Sequence, residues 1–137
     1  MNLYIDTEFN GFGGELISMA LVGDRLEFYE VVSMSDPLDP WVEENVTPYL
    51  EKAPISVEEF QYKLQDLLSF VEGPLTIHAD WPDDIAYFCK ALITGPGTAI
   101  NFWGRLNFVL DRNLSSGKSK IPHNALEDAR AIMESAR

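Results

Sequence analysis

The sequence predicts an α/β fold in which a mixed five-stranded sheet, an antiparallel meander of three strands followed by parallel strands, is flanked by helices. Three observations carry that prediction. Apolar runs at residues 2–6, 16–22 and 26–32 follow one another, the last two with only turn residues between them. From residue 41 onward, apolar residues at helical spacing alternate with short apolar runs. No internal repeat or low-complexity segment interrupts the order.

The first strand ends in a carboxylate, Asp6, and Gly23 with Asp24 supplies the turn between the second and third strands. Residues 33–40 form a loop rich in Ser, Asp and Pro. Helical spacing then covers residues 41–50 and 57–71, the second of these opened by a capping box of Ser56 and Glu59. Gly73-Pro74 ends it, and residues 75–79 read as a buried strand leading to Asp80. Asp83 or Asp84 is placed to cap a helix through Tyr87, Phe88 and Leu92, which Gly95-Pro96-Gly97 stops. Residues 98–102 are expected to be the fifth strand and residues 105–113 a helix. A polar loop at 115–120 holds two of the ten basic residues, and a last helix starts near Asn124. A meander followed by strand-helix-strand crossovers is the order of a ribonuclease H-like fold.

The chain has 137 residues, the size of one ordinary domain, so residues 1–137 are read as a single unit. Hydrophobic residues at 46% and charged residues at 23% match a soluble globular protein with a packed core. No stretch approaches the ~18 to 20 apolar residues of a membrane span, and no basic segment followed by an apolar run opens the chain. Cys89 is the single cysteine, which excludes an internal disulfide and fits a reducing compartment. A cytoplasmic protein without membrane association is expected.

The formal net charge is −12, from 22 acidic and 10 basic residues. That is the wrong sign for holding nucleic acid mainly through Lys and Arg. It is compatible with phosphate contact through bound divalent cations, because carboxylates gathered in one cleft would then be metal ligands.

Asp6 and Glu8 stand two apart at the end of the first strand, so alternation puts both on one face, ~7 Å apart along the backbone. Two such carboxylates repel unless a cation lies between them, and a divalent ion with oxygen ligands is the simplest one. A solvent-facing pair is the ordinary alternative for this spacing. The apolar lead of Tyr4 and Ile5, and the glycine-rich stretch after Phe9 and Asn10, favour a ligand.

Near the other end, Asn124 and Glu127 form a capping box, which makes His123 the residue before the cap and Asp128 the fourth helical residue. Those two positions meet in a hydrophobic staple, so an imidazole is expected beside a carboxylate. An imidazole ordinarily titrates near ~6.5, suited to taking a proton from water, and the carboxylate can bind metal.

With these residues in view, the sequence resembles the DEDDh 3′-to-5′ exonucleases, the superfamily of ribonuclease T and the proofreading subunits of replicative polymerases. Asp6-Thr7-Glu8-Phe9, with the strand at 16–22, looks like the family's first motif. His123 to Ala129, with His and Asp five apart, looks like its third. The closest similarity is to the small, single-domain exoribonuclease-like branch. For the second motif Asp84 is preferred, because Tyr87 and Phe88 follow it at the family's spacing; Asp80 is next, and Asp83 reads as a cap.

The resemblance implies two Mg²⁺ or Mn²⁺ ions. Asp6, Glu8 and Asp128 would hold one, Asp6 would bridge to the other, and Asp84 would reach that second ion. His123 would be the general base, and Phe9 and Asn10 would position the terminal nucleotide. The implied activity is release of nucleoside 5′-monophosphates from 3′ ends of single-stranded nucleic acid, RNA more than DNA, and a homodimer stays open as in some relatives. The alternatives are a catalytically inactive binding module of the same fold and an internally acting phosphoesterase.

Other residues read as structural. His78 is expected against the core or a neighbouring strand, Trp41, Trp81 and Trp103 in packing, and Cys89 buried and inert. Lys118 and Lys120, with Arg105 and Arg112, are candidates for a positive rim, although a solvated loop explains the lysines equally well.

Overall fold

Alternation of apolar residues builds the first strand, and the position of that strand organises the rest of the molecule. In the computed structural model, which describes residues 1–102 and 104–137, β1 (Asn2–Phe9) buries Leu3, Ile5 and Thr7 on one face and turns Tyr4, Asp6 and Glu8 to the other. β2 (Leu16–Val22) pairs antiparallel with β1, and β3 (Glu27–Val31) antiparallel with β2, which is the expected meander. β4 (Leu75–Ala79) joins the other edge of β1 in parallel, and β7 (Leu106–Leu110) joins β4 in parallel. The order is β3-β2-β1-β4-β7, with β1 central.

Helices cover both faces of the sheet. α2 (Val57–Phe70) and α3 (Pro82–Ala91) lie on the main core face, where Leu64, Leu68 and Phe88 pack against Leu3, Ile5 and Ile77. α4 (Ala125–Ser135) covers the opposite face through Ala125 and Ala129, which pack against Ala20 and Val22. Ser56 accepts from the Glu59 amide and Asn124 from the Glu127 amide, so both predicted caps are formed. None of the helices among the described residues is long and apolar enough to cross a membrane.

Several local expectations change. Residues 105–113, expected to be helical, contain strand β7. Its five residues pair in register with Leu75 to Ala79, and this long-range ladder outweighs the local helical signal. The fifth strand of the sheet is therefore β7. The segment 98–102 instead contributes β6 (Thr98–Ala99) to a separate hairpin with β5 (Ile93–Gly95). The predicted 41–50 helix is α1 (Pro40–Asn45) followed by a 3₁₀ turn at Thr47–Tyr49, where Pro48 cannot continue the α-helical ladder.

Neither Asp83 nor Asp84 caps α3, which starts with Pro82 in its first turn and has no side-chain cap. Cys89 is exposed, because α3 buries the side of Asp84, Tyr87 and Phe88. Trp41 and Trp81 are about half exposed, at 54% and 49%, and so are not core packing residues. Trp103 lies outside the described residues. His78 meets its expectation: it stacks on Tyr4 of β1 at 4.8 Å and hydrogen-bonds with Asn2 through Nε2.

Candidate metal centre

Three elements end at the same place. β1 brings Asp6 and Glu8 on one face; β4 runs parallel to β1 and ends at Ala79, so Asp80 follows at the same end of the sheet. The first turn of α3 supplies Asp84, and the first turn of α4 supplies Asp128. Carboxylate oxygens of Asp6, Glu8 and Asp128 lie within 4.8 Å of one another, and so do those of Asp6, Asp80 and Asp84. Asp6 belongs to both groups. The structure thus brings together Asp6, Glu8, Asp84 and Asp128, and adds Asp80.

The start of α3 separates the adjacent acids Asp83 and Asp84, and leaves Asp80 and Asp84 both beside Asp6. Asp84 turns inward and is almost fully buried, whereas Asp83 accepts a hydrogen bond from the Trp81 indole Nε1 at 3.0 Å and belongs to neither carboxylate group. Asp84 is held by a residue that the sequence reading overlooked. Thr7 donates to its Oδ1 from both the backbone amide, at 3.1 Å, and the hydroxyl, at 2.6 Å. β1 pairs with β4 only as far as Tyr4, so the Thr7 amide, beyond that ladder, finds a carboxylate in place of a strand. Alternation along β1 was the available signal, since it points Thr7 to the face opposite Asp6.

His123 differs from its expectation in one respect. Asp128 Oδ2 accepts from the His123 backbone amide at 3.2 Å, and the imidazole belongs to neither carboxylate group. His123 has a left-handed φ of 70°, and its exposed ring meets Trp41 edge-on at 5.2 Å. The pairing of His123 with Asp128 is therefore made by the main chain, with the imidazole exposed against Trp41.

Phe9 stacks on Tyr87 at 4.7 Å, so one of its faces is already covered. Asn10 is engaged on both ends of its amide, donating to the Pro37 carbonyl and accepting from the Asp39 amide. It ties the loop after β1 to the loop that leads into α1, where Asp39 caps the helix carrying Trp41.

The cluster is electrostatically strained. Burial, then the charges of Asp84, Glu8 and Asp128, hold the Asp6 carboxyl well above its ordinary range. Burial, together with Asp128 and Asp84, pushes Glu8 up to about 8. Burial raises Asp84 to about 7 even though the Thr7 hydrogen bonds oppose the shift. Asp128 and Asp80 are also raised, mainly by burial. No Lys or Arg among the described residues forms an ion pair with any of these five carboxylates.

Comparison with family models, with characterised proteins and with solved structures finds no match. The chemistry of the cluster therefore has to be read from its own atoms. All donors are carboxylate oxygens, the set favoured by hard divalent cations. Asp6 Oδ2 is buried and has no hydrogen-bond partner among the described residues, although a buried carboxylate oxygen without one is costly. An Mg²⁺ or Mn²⁺ ion would satisfy that oxygen and offset the repulsion, so the residues fit such a group.

The Thr7 contact makes a prediction of its own. Thr7→Val removes the hydroxyl donor and leaves the amide, so at pH 8 the metal-free protein should lose about 1.5 to 3 kcal/mol in urea unfolding, the worth of a hydrogen bond to a charged group. An unchanged midpoint would show that the hydroxyl does not hold Asp84.

Proposed function

We propose that this chain is a ribonuclease H-like, two-metal 3′-to-5′ exonuclease of the DEDDh type, acting on single-stranded nucleic acid and on RNA in preference to DNA. The observation that carries the reading is Asp6, a carboxylate shared by two acidic groups, one of whose oxygens is buried without a hydrogen-bond partner among the described residues. Two further observations support it. The central β1, its antiparallel partners and the parallel β4 and β7 are arranged as a ribonuclease H-like sheet would be. Asp128, in the first turn of α4, has a carboxylate oxygen within 4.8 Å of Asp6 and Glu8, and the His123 amide donates to it. The preference for RNA rests on the sequence resemblance.

Asp6, Glu8 and Asp128 would hold one divalent cation, and Asp6 with Asp84 and Asp80 the other. When bound, the pair supplies Lewis-acid activation of water and neutralises charge on the phosphodiester. The chain's residues perform the remaining work. Thr7 fixes Asp84 so that its second oxygen is free. The His123 amide fixes Asp128, while the exposed His123 imidazole would take the proton of the attacking water. Phe9, backed by Tyr87, and the loop held by Asn10 shape the floor on which the terminal nucleotide rests.

The test is release of labelled nucleoside 5′-monophosphate from an oligoribonucleotide labelled at its 3′-terminal residue, in Mn²⁺, beside a circular oligonucleotide of the same sequence. The expected result is stepwise release from the linear substrate with the circle intact. Failure to release mononucleotide, or cleavage of the circle, contradicts the reading.

A further inference from the structure

One cation at the edge of the cluster is not used by the chemistry above. Arg112 lies two residues beyond the end of β7. The Asp111 amide donates to the Ala79 carbonyl at 2.8 Å, which brings the end of β7 beside the end of β4 and hence beside Asp80. The Arg112 guanidinium lies 4.7 Å from the centre of the Trp81 ring, and its charge is felt at Asp80.

The arrangement is built from both sides. Asp111 Oδ1 accepts from the Asn113 amide at 2.9 Å, and the buried Leu114 anchors the far end of the turn, so the backbone that carries Arg112 is fixed. The Trp81 ring is held in turn by its Nε1 bond to Asp83. Arg112 forms no ion pair among the described residues, although the chain has 22 acidic residues and 10 basic ones. Both members of the stack remain open to solvent. An ordered guanidinium with free donors, placed on an aromatic ring beside a phosphodiester site, has the chemistry of a phosphate clamp.

We propose that Arg112, held on the Trp81 ring, binds a backbone phosphate of the substrate strand next to the reacting one. The inference rests on the nuclease reading for its location. Its chemistry is a single charge-assisted phosphate contact. Arg112 touches substrate, and Trp81 is a positioning residue that acts through Arg112. The contact explains how a chain of net charge −12 grips a polyanion: cations bound by the carboxylate cluster would hold the reacting phosphate, and one arginine its neighbour.

Two substrates separate this contact from the reaction itself. An oligoribonucleotide has a neighbouring phosphate, whereas a nucleoside 5′-(p-nitrophenyl phosphate) ester has only the reacting one. For Arg112→Ala, the ratio of kcat/KM for the oligonucleotide to that for the ester should fall about tenfold, chiefly through KM. Arg112→Lys should recover part of the ratio. Trp81→Ala should lower it by a smaller factor, and Trp81→Phe, which keeps a ring, should restore it.

A binding arm does not depend on turnover. With a fluorescent oligonucleotide in Ca²⁺, the slope of log affinity against log salt should become shallower by ~0.7 in Arg112→Ala, the value for one single-strand phosphate contact. An unchanged ratio, an unchanged salt slope, or failure of the wild-type chain to bind the oligonucleotide overturns the proposal. If neither substrate is hydrolysed, the exonuclease reading fails, and the salt slope alone decides whether Arg112 contacts phosphate.

Discussion

Asp6→Asn is expected to lower mononucleotide release by at least about a thousandfold while making the metal-free protein more stable at pH 8. The two effects have one cause. Asp6 belongs to both carboxylate groups, so losing its charge weakens both cation sites at once. Burial, and then repulsion from Asp84, Glu8 and Asp128, holds that carboxyl well above its ordinary range. A carboxyl raised in the folded state stabilises the fold fully below its unfolded pKa, and that contribution is lost as pH rises through the folded value. At pH 8 the wild-type cluster bears this repulsion and the asparagine variant bears less. A rise in melting temperature of roughly 5 °C is expected, measured by calorimetry in a chelator. Retained activity, or a variant that melts below the wild type under those conditions, would remove Asp6 from the centre of the account.

The second large effect is stabilisation by divalent cations that grows with pH. In the metal-free protein Asp84 titrates at about 7 and Glu8 at about 8, both raised mainly by burial. By the same sign rule, their contribution is complete at acidic pH and is lost as pH rises through 7 and 8, so the metal-free melting temperature should fall between pH 6 and pH 9. Cations compete with those protons. At pH 6 both carboxyls hold protons and added Mn²⁺ should change little. At pH 9, Mn²⁺ at about a hundred times its dissociation constant should raise the melting temperature by roughly 10 °C. Thermal scans with Mn²⁺ or chelator at the two pH values check this, and equal shifts at both would show that the cation binds elsewhere.

How much of this was legible in the sequence depended on whether a signal was local. The strand Asn2–Phe9 was legible from alternation, and with it the shared face of Asp6 and Glu8. The starts of α2 and α4 were legible because their caps are formed by residues three apart, Ser56 with Glu59 and Asn124 with Glu127. Strand β7 was not. A five-residue segment with four apolar residues around Asn107, flanked by Arg105 and Asp111, does not specify its own state, and pairing with β4, thirty-one residues earlier, decides it.

The acids between the two ends of the chain show the same limit. Asp80, Asp83 and Asp84 are nearly adjacent in sequence, and only the start of α3 at Pro82 determines that Asp84 turns inward while Asp83 binds the Trp81 indole. Asp80 joins the cluster because β4 ends beside β1, a fact of sheet order. At His123 the spacing to Asp128 was legible, whereas the left-handed backbone that presents the amide and sends the ring to Trp41 was not. The exposure of Trp41 and Trp81 was equally hidden, since large aromatics in a small domain are ordinarily packing residues.

The most direct test of the two-cation centre is a crystal of the protein grown or soaked in Mn²⁺ and measured for anomalous scattering. The account predicts two peaks about 3.5 to 4 Å apart, both coordinated by Asp6, one also by Glu8 and Asp128 and the other by Asp84 or Asp80. A single peak that does not touch Asp6, or no peak at the carboxylate cluster, would contradict it.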